Sequence, residues 1–218
     1  MKKINIYRKH KINLNPNSIL EYFIIFIFLT IFGTLTHEFA HYVVALKLDM
    51  EPTFHFSSVT YNKRINPIGL DYKTGRNFFL STAAGPIQTI FTGLVGFTML
   101  IFIRINKFKV SNFTYNISIF LSLFWLRPCF NLLIILVKSI FQKKLVTFGD
   151  EVLLSYYLGF NSLLINMCSG VIGLIICYIT VFKFFSIKER LNLIIGGFFG
   201  SVVGYFLWFY IFGKILLP

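Results

Sequence analysis

Five long apolar runs, at about residues 19–48, 78–103, 113–140, 163–185 and 191–217, leave this chain little choice of fold. A run of 18 or more apolar residues is long enough to cross the hydrocarbon of a bilayer, about 30 Å thick. No water is available there, and a helix satisfies its backbone N–H and C=O groups within a single segment. The expected fold is therefore an all-α polytopic membrane protein with about five transmembrane helices. Charged residues make up 13% of the chain, against about 25% in soluble proteins, and mean hydropathy is +0.73. The formal charge of +13 would suit a nucleic-acid partner. The basic residues, however, gather between the runs, as Lys63-Arg64, Lys143-Lys144 and Lys188-Arg190 do, and read as membrane-surface anchors. A lipid bilayer is the expected partner, and no nucleic acid is.

The chain divides into a basic N-terminal segment at 1–18, a core at 19–160 and two C-terminal transmembrane helices at 161–218. Asn15-Pro16-Asn17 is a helix-start signal, and the run behind it is too long for a signal-peptide h-region, so the first helix is expected to be retained. After it, Thr53 to Tyr61 is rich in β-branched and aromatic residues. Ile68, Leu70 and Tyr72 alternate with polar residues beyond the turn-prone Asn62 to Pro67. A short β-hairpin over 52–73 is expected, its alternative being a plain loop. Ser81, Gly85, Thr89 and Gly93 form a small-residue stripe on the second helix, explained by close helix packing. Gly85-Pro86 within it can break that helix or merely kink it. In the last helix Gly196, Gly200 and Gly204 form a second packing stripe. Cys129, Cys168 and Cys177 all lie in apolar stretches and predict no disulfide framework.

Chemistry enters with His37-Glu38-Phe39-Ala40-His41 inside the first run. Histidines four residues apart share one face of a helix and reach a single Zn²⁺, while the glutamate beside them can take a proton from water activated there. Three ionisable groups at membrane depth are costly unless they face a cavity or a metal, the bland alternative being a polar interhelical cluster. Arg127 and Asn131, in the middle of the third run beside Pro128, are candidates for a substrate or oxyanion region, as are Gly85 and Pro86; helix packing explains them equally well.

A catalytic zinc needs a third ligand, and five spans restrict it. His37 lies about 27 Å along the helix from Ile19, near the face at which that helix ends. Chain parity puts residues 49–77, 141–151 and the C-terminus on this same face. Glu21 and Glu189 are then too distant, and Asp49 and Glu51 need a sharp reversal of the chain. Asp71, Asp150, Glu151 and His55 remain. Asp150 is preferred because it follows Gly149 after a span that can return alongside the first, within a motif at 147–151. An N-cap for the short amphipathic helix that follows is its other reading.

In these features, His37-Glu38-Phe39-Ala40-His41 in a first core helix, Ala84-Gly85-Pro86 opening a second and Gly149-Asp150-Glu151 after a third, the chain resembles the site-2 protease family of intramembrane zinc metalloproteases. The resemblance covers about residues 20–160. It implies a zinc metalloendopeptidase with one Zn²⁺ per chain, held by His37, His41 and Asp150, with Glu38 as the catalytic base. It implies membrane protein or peptide substrates cut in or near transmembrane segments, and a multi-pass protein of a prokaryotic cell membrane is expected. Two departures stand out: Thr89 occupies the position of the family's usual Asn, and Gly149-Asp150-Glu151 replaces an Asn-Pro-Asp-Gly-like motif. The alternatives are an inactive relative that binds membrane proteins without cutting them, a transporter or channel lined by the polar cluster, and a peptidase acting on soluble or lipid-modified peptides.

Overall fold

The structure is a computed structural model that describes residues 14–61, 72–106 and 110–218. Helix α1 (Pro16–Lys47) begins where the sequence signals it. The Asn15 side chain accepts a hydrogen bond from the Asn17 N–H at 3.1 Å, and Pro16 occupies the first turn, where its missing N–H costs nothing. Beyond Lys47, Asp49 and Glu51 take left-handed conformations, with φ of 54° and 49°, and reverse the chain.

Strands β1 (Pro52–Phe54) and β2 (Val59–Tyr61) then pair antiparallel, with Thr53 opposite Thr60. The hairpin is thus present and turns at residues 55–58; the turn expected at Asn62 to Pro67 lies outside the described residues. The His55 N–H donates to the Ser58 carbonyl at 3.0 Å. Phe56 within the turn is tied to the far end of the chain: its N–H donates to the Leu217 carbonyl at 3.1 Å, and its carbonyl accepts from Trp208 Nε1 at 2.9 Å. Tertiary contacts therefore hold this turn. Ile68 and Leu70 lie outside the described residues, and Tyr72, expected in a strand, opens a helix.

That helix, α2 (Tyr72–Asn106), runs through Gly85-Pro86 without the break that those residues allow. Next come α3 (Asn112–Ser122), a 3-10 turn (Leu123–Trp125) and α4 (Leu126–Gln142), which together form the third span. The 3-10 turn follows from Pro128, which has no N–H for the Phe124 carbonyl and crowds it, so the preceding turn tightens. Helix α5 (Asp150–Tyr157) is short; α6 (Leu164–Phe184) spans; and α7 (Ile187–Phe206), a π-helical stretch (Leu207–Phe212) and α8 (Gly213–Leu216) complete the last span. Among the described residues, five segments are long and apolar enough to cross a membrane, which makes this a multi-pass membrane fold.

Small residues determine how closely the spans approach. Within lipid, apolar area gives no drive for helix association, so contact depends on interlocking backbones. Gly200 of α7 lies against the Phe23 carbonyl of α1, and Gly204 against Ile27. On the other side of the bundle, Gly170 and Gly173 of α6 accept Leu132 and Cys129 of α4. Phe26, Leu29, Leu100, Ile119 and Phe124 fill the centre. At one end of the bundle the Asn15 N–H donates to Asn192 at 3.3 Å and Arg104 donates to the Lys183 carbonyl at 2.8 Å. The hairpin, α5 and the C-terminus share the opposite end, in agreement with chain parity. All three cysteines are free.

Candidate metal centre

His37 and His41 project from α1 toward α2 and are 1% and 5% exposed. Asp150 arrives from the start of α5, where Gly149, at φ 98°, takes a conformation that side chains disfavour. Gly149, not Asp150, is the N-cap of α5, so the capping role considered for Asp150 is not realised. Its Oδ2 lies 3.0 Å from His37 Nε2 and 3.2 Å from His41 Nε2. One ligand atom from each residue falls within 4.8 Å of the others, the one such group of three among the described residues.

The donor set fits a metal ion. His41 Nδ1 lies 2.7 Å from the Ser81 carbonyl, which only accepts, so Nδ1 carries the proton and Nε2 of the neutral ring is bare. His37 Nδ1 lies 2.8 Å from Thr89 Oγ1, while the Thr89 hydroxyl donates to Gln88 at 3.5 Å; His37 Nε2 is then bare as well. Two lone pairs facing a carboxylate oxygen at such distances suit a cation placed between them. A proton serves one contact; a metal ion serves all three. Ligand atoms each about 2.0 Å from a tetrahedral ion stand about 3.3 Å apart, close to the separations found. Both imidazoles also bond a fixed partner through the other nitrogen, which aims them as metal ligands are usually aimed.

Gly85 completes the fit. A Cβ placed there collides with Nε2 of both His37 and His41. The two ligand atoms occupy the space that a side chain would take. The stripe Ser81, Gly85, Thr89 is thus more than a packing surface: antiparallel to α1, it holds His41, clears room for both imidazoles and holds His37. Tyr61 of the hairpin extends the set, its hydroxyl 2.8 Å from Ser81 Oγ. Burial raises the pKa of the Tyr61 phenol. The sequence reading missed Ser81, Thr89 and Tyr61 as parts of the site; the signal available was a polar residue at each end of the stripe around Gly85.

Around the three ligands stand three further ionisable groups. Glu38, 7% exposed, faces Arg127 with its Oε1 3.4 Å from Nη2. Glu151, 4% exposed, has both carboxylate oxygens 3.4 Å from Asn131 Nδ2. Burial on its own raises the Asp150 carboxyl, but the two imidazoles outweigh it and hold the group well below the usual carboxylate range. Burial, then the neighbouring charge of Asp150, pushes Glu151 upward. Three carboxylates, those of Glu38, Asp150 and Glu151, and one guanidinium, that of Arg127, thus gather around the two imidazoles.

Two spaces adjoin the centre. A cavity of about 10 Å³, bounded by His37, Pro86, Thr89, Arg127 and Glu151, is of the size that admits a single water. A larger cleft of about 650 Å³ runs between α1, α4 and α7, with Thr89, Arg127 and Asn131 at its inner end and Phe198, Tyr205 and Phe206 on its walls. Pro86 lines the small cavity, and Thr89 and Arg127 line both spaces. Of the other third-ligand candidates, His55 is engaged by Thr60 and the Pro218 carbonyl on the hairpin, Glu151 points to α4, and Asp71 lies outside the described residues. No family model, curated protein or solved structure matches this chain.

Proposed function

We propose that the protein is an intramembrane zinc metalloendopeptidase, of the kind that the site-2 protease family represents, cutting peptide bonds in or near transmembrane segments. The observation that carries the reading is the convergence of His37 Nε2, His41 Nε2 and Asp150 Oδ2 beside the buried carboxylate of Glu38. Two nitrogens and one carboxylate oxygen form a ligand set that leaves a fourth position open, as catalytic zinc requires.

Zinc, when bound, supplies a Lewis acid that makes water nucleophilic at neutral pH. The chain supplies the rest. Ser81 and Thr89 hold the imidazoles in the tautomer that presents Nε2. Glu38 takes a proton from the attacking water as its oxygen bonds the peptide carbonyl carbon; when the C–N bond breaks, Glu38 delivers that proton to the departing nitrogen. Arg127 pairs with this carboxylate within the span, where an unpaired charge is costly. A helical substrate hides its peptide bonds, so it unwinds locally before it is cut. The cleft between α1, α4 and α7 supports entry from the lipid, since it leads to Arg127 and Asn131 and carries exposed aromatic residues at spanning depth.

The test is bound zinc per chain in detergent-purified protein, followed by cleavage of a co-expressed membrane substrate. Wild type is expected to hold about one zinc, and Asp150→Ala to lose most of it. Glu38→Gln keeps the zinc and stops cleavage. Folded wild type without zinc overturns the reading, and residual turnover by Glu38→Gln removes the role given to Glu38.

A further inference from the structure

Helix α4 carries two polar side chains one turn apart, and each holds an acid from a different element: Arg127 holds Glu38 of α1, and Asn131 holds Glu151 of α5. The second pair has no part in the chemistry proposed above. Glu151 is nevertheless one of the most buried acids of the molecule, and burying a carboxylate is costly unless it is held. Its place explains why it is kept. Successive residues at the start of a helix point about 100° apart. Asp150 therefore faces the imidazoles of α1 while Glu151 faces α4.

The eight residues of α5 follow Gly149, whose φ of 98° is open to glycine and disfavoured for other residues. Val152 and Leu154 bury its apolar side through non-directional contacts, and Ser155, one turn beyond Glu151, ties the helix to α6 by accepting from the Ile165 N–H at 3.2 Å. The contact of Asn131 with Glu151 is directional and lies one residue from the ligand.

We infer that Asn131 and Glu151 are positioning residues of the metal centre: Asn131 clamps the Glu151 carboxylate, and the clamp sets the angle at which Asp150 meets His37 and His41. The inference rests on the metal-binding half of the proposed function and is independent of proteolysis. It also replaces the oxyanion or substrate role considered for Asn131.

The test is Zn²⁺ affinity of the full-length protein in detergent, measured by chelator competition, with the melting temperature of the metal-free protein recorded alongside. Asn131→Leu and Glu151→Leu keep volume and suit the membrane, so folding is preserved while the contact is lost. Each, and the double variant equally, is expected to weaken Zn²⁺ binding by about 10- to 100-fold, the usual effect of losing a group that orients a ligand, because the pair acts as one unit. Glu151→Gln still accepts from Asn131 and is expected within about threefold of wild type. Equal loss in Glu151→Gln and Glu151→Leu overturns the inference by making Glu151 itself a ligand. Unchanged Zn²⁺ affinity with a lowered metal-free melting temperature overturns it in favour of a purely structural contact. Wild type that binds no Zn²⁺ overturns the metal reading itself, an outcome distinct from both.

Discussion

At the scale of single residues, the acids and histidines were more legible than the small groups that make room for them. His37, Glu38 and His41 declare themselves by spacing, whereas chain parity leaves Asp150 one of four candidates, preferred for its place after Gly149. Gly85 reads as one member of a packing stripe, because nothing in a sequence tells whether the space beside a glycine is filled by a helix or by two ligand atoms. The structure separates these cases and makes a prediction. A methyl at Gly85 falls on Nε2 of both histidines, whereas a methyl at Gly33 meets nothing within 4 Å. Gly85→Ala is therefore expected to lower zinc affinity by about 100-fold or more, and Gly33→Ala to leave it unchanged, as read by chelator competition. Equal affinity in the two variants would show that the imidazoles can retreat from α2. Thr89 was legible as a member of that stripe and as a departure from the Asn of the family the sequence resembles; its oxygen lies where it can hold His37 Nδ1.

At the scale of elements, the spans could be read to within a few residues because each must satisfy its own backbone. The hairpin could not. Its turn is set by Phe56 meeting Leu217 and Trp208, partners more than 150 residues away, while the local turn signal lay elsewhere. Which helices pair was also hidden, although the two glycine stripes showed that close pairs exist. One of them now has a partner: Gly196, Gly200 and Gly204 seat α7 on α1, the helix that carries the histidines. At Gly200 a side chain meets the Phe23 carbonyl, which is backbone and cannot swing aside. Gly200→Leu is expected to cost about 1–3 kcal/mol through overpacking. In a chain of this length that is a fall in melting temperature of about 3–10 °C. Because α7 also walls the cleft, substrate cleavage should fall more than zinc content. A variant that melts as wild type does would mean that α7 and α1 are not in contact in the membrane.

At the scale of the molecule, the metal centre lies toward one end of the bundle. His37 is ten residues before the end of α1 at Lys47, about 15 Å along the helix axis. The hairpin and α5 stand at that end, and the Asp150 side chain is 31% exposed, which favours access to the site from this face. The opposite face is separated from the site by the rest of α1 and by the core around Phe26, Leu29 and Leu100. Sidedness should therefore be measurable in sealed proteoliposomes of uniform orientation. With the exposed Cys168 changed to serine, a cysteine at Ser58 or Lys144 marks the face of the hairpin, and one at Ser111 or Lys188 marks the other, each labelled by a membrane-impermeant maleimide. The five-span fold requires the first pair to label from one side of the membrane and the second pair from the other. An impermeant chelator should then strip zinc from the side that labels Ser58→Cys and not from the side that labels Ser111→Cys. Chelation from the Ser111 side would place the water path through the bundle rather than past α5, and would turn the cleft between α1, α4 and α7 from a route for substrate into a route for water.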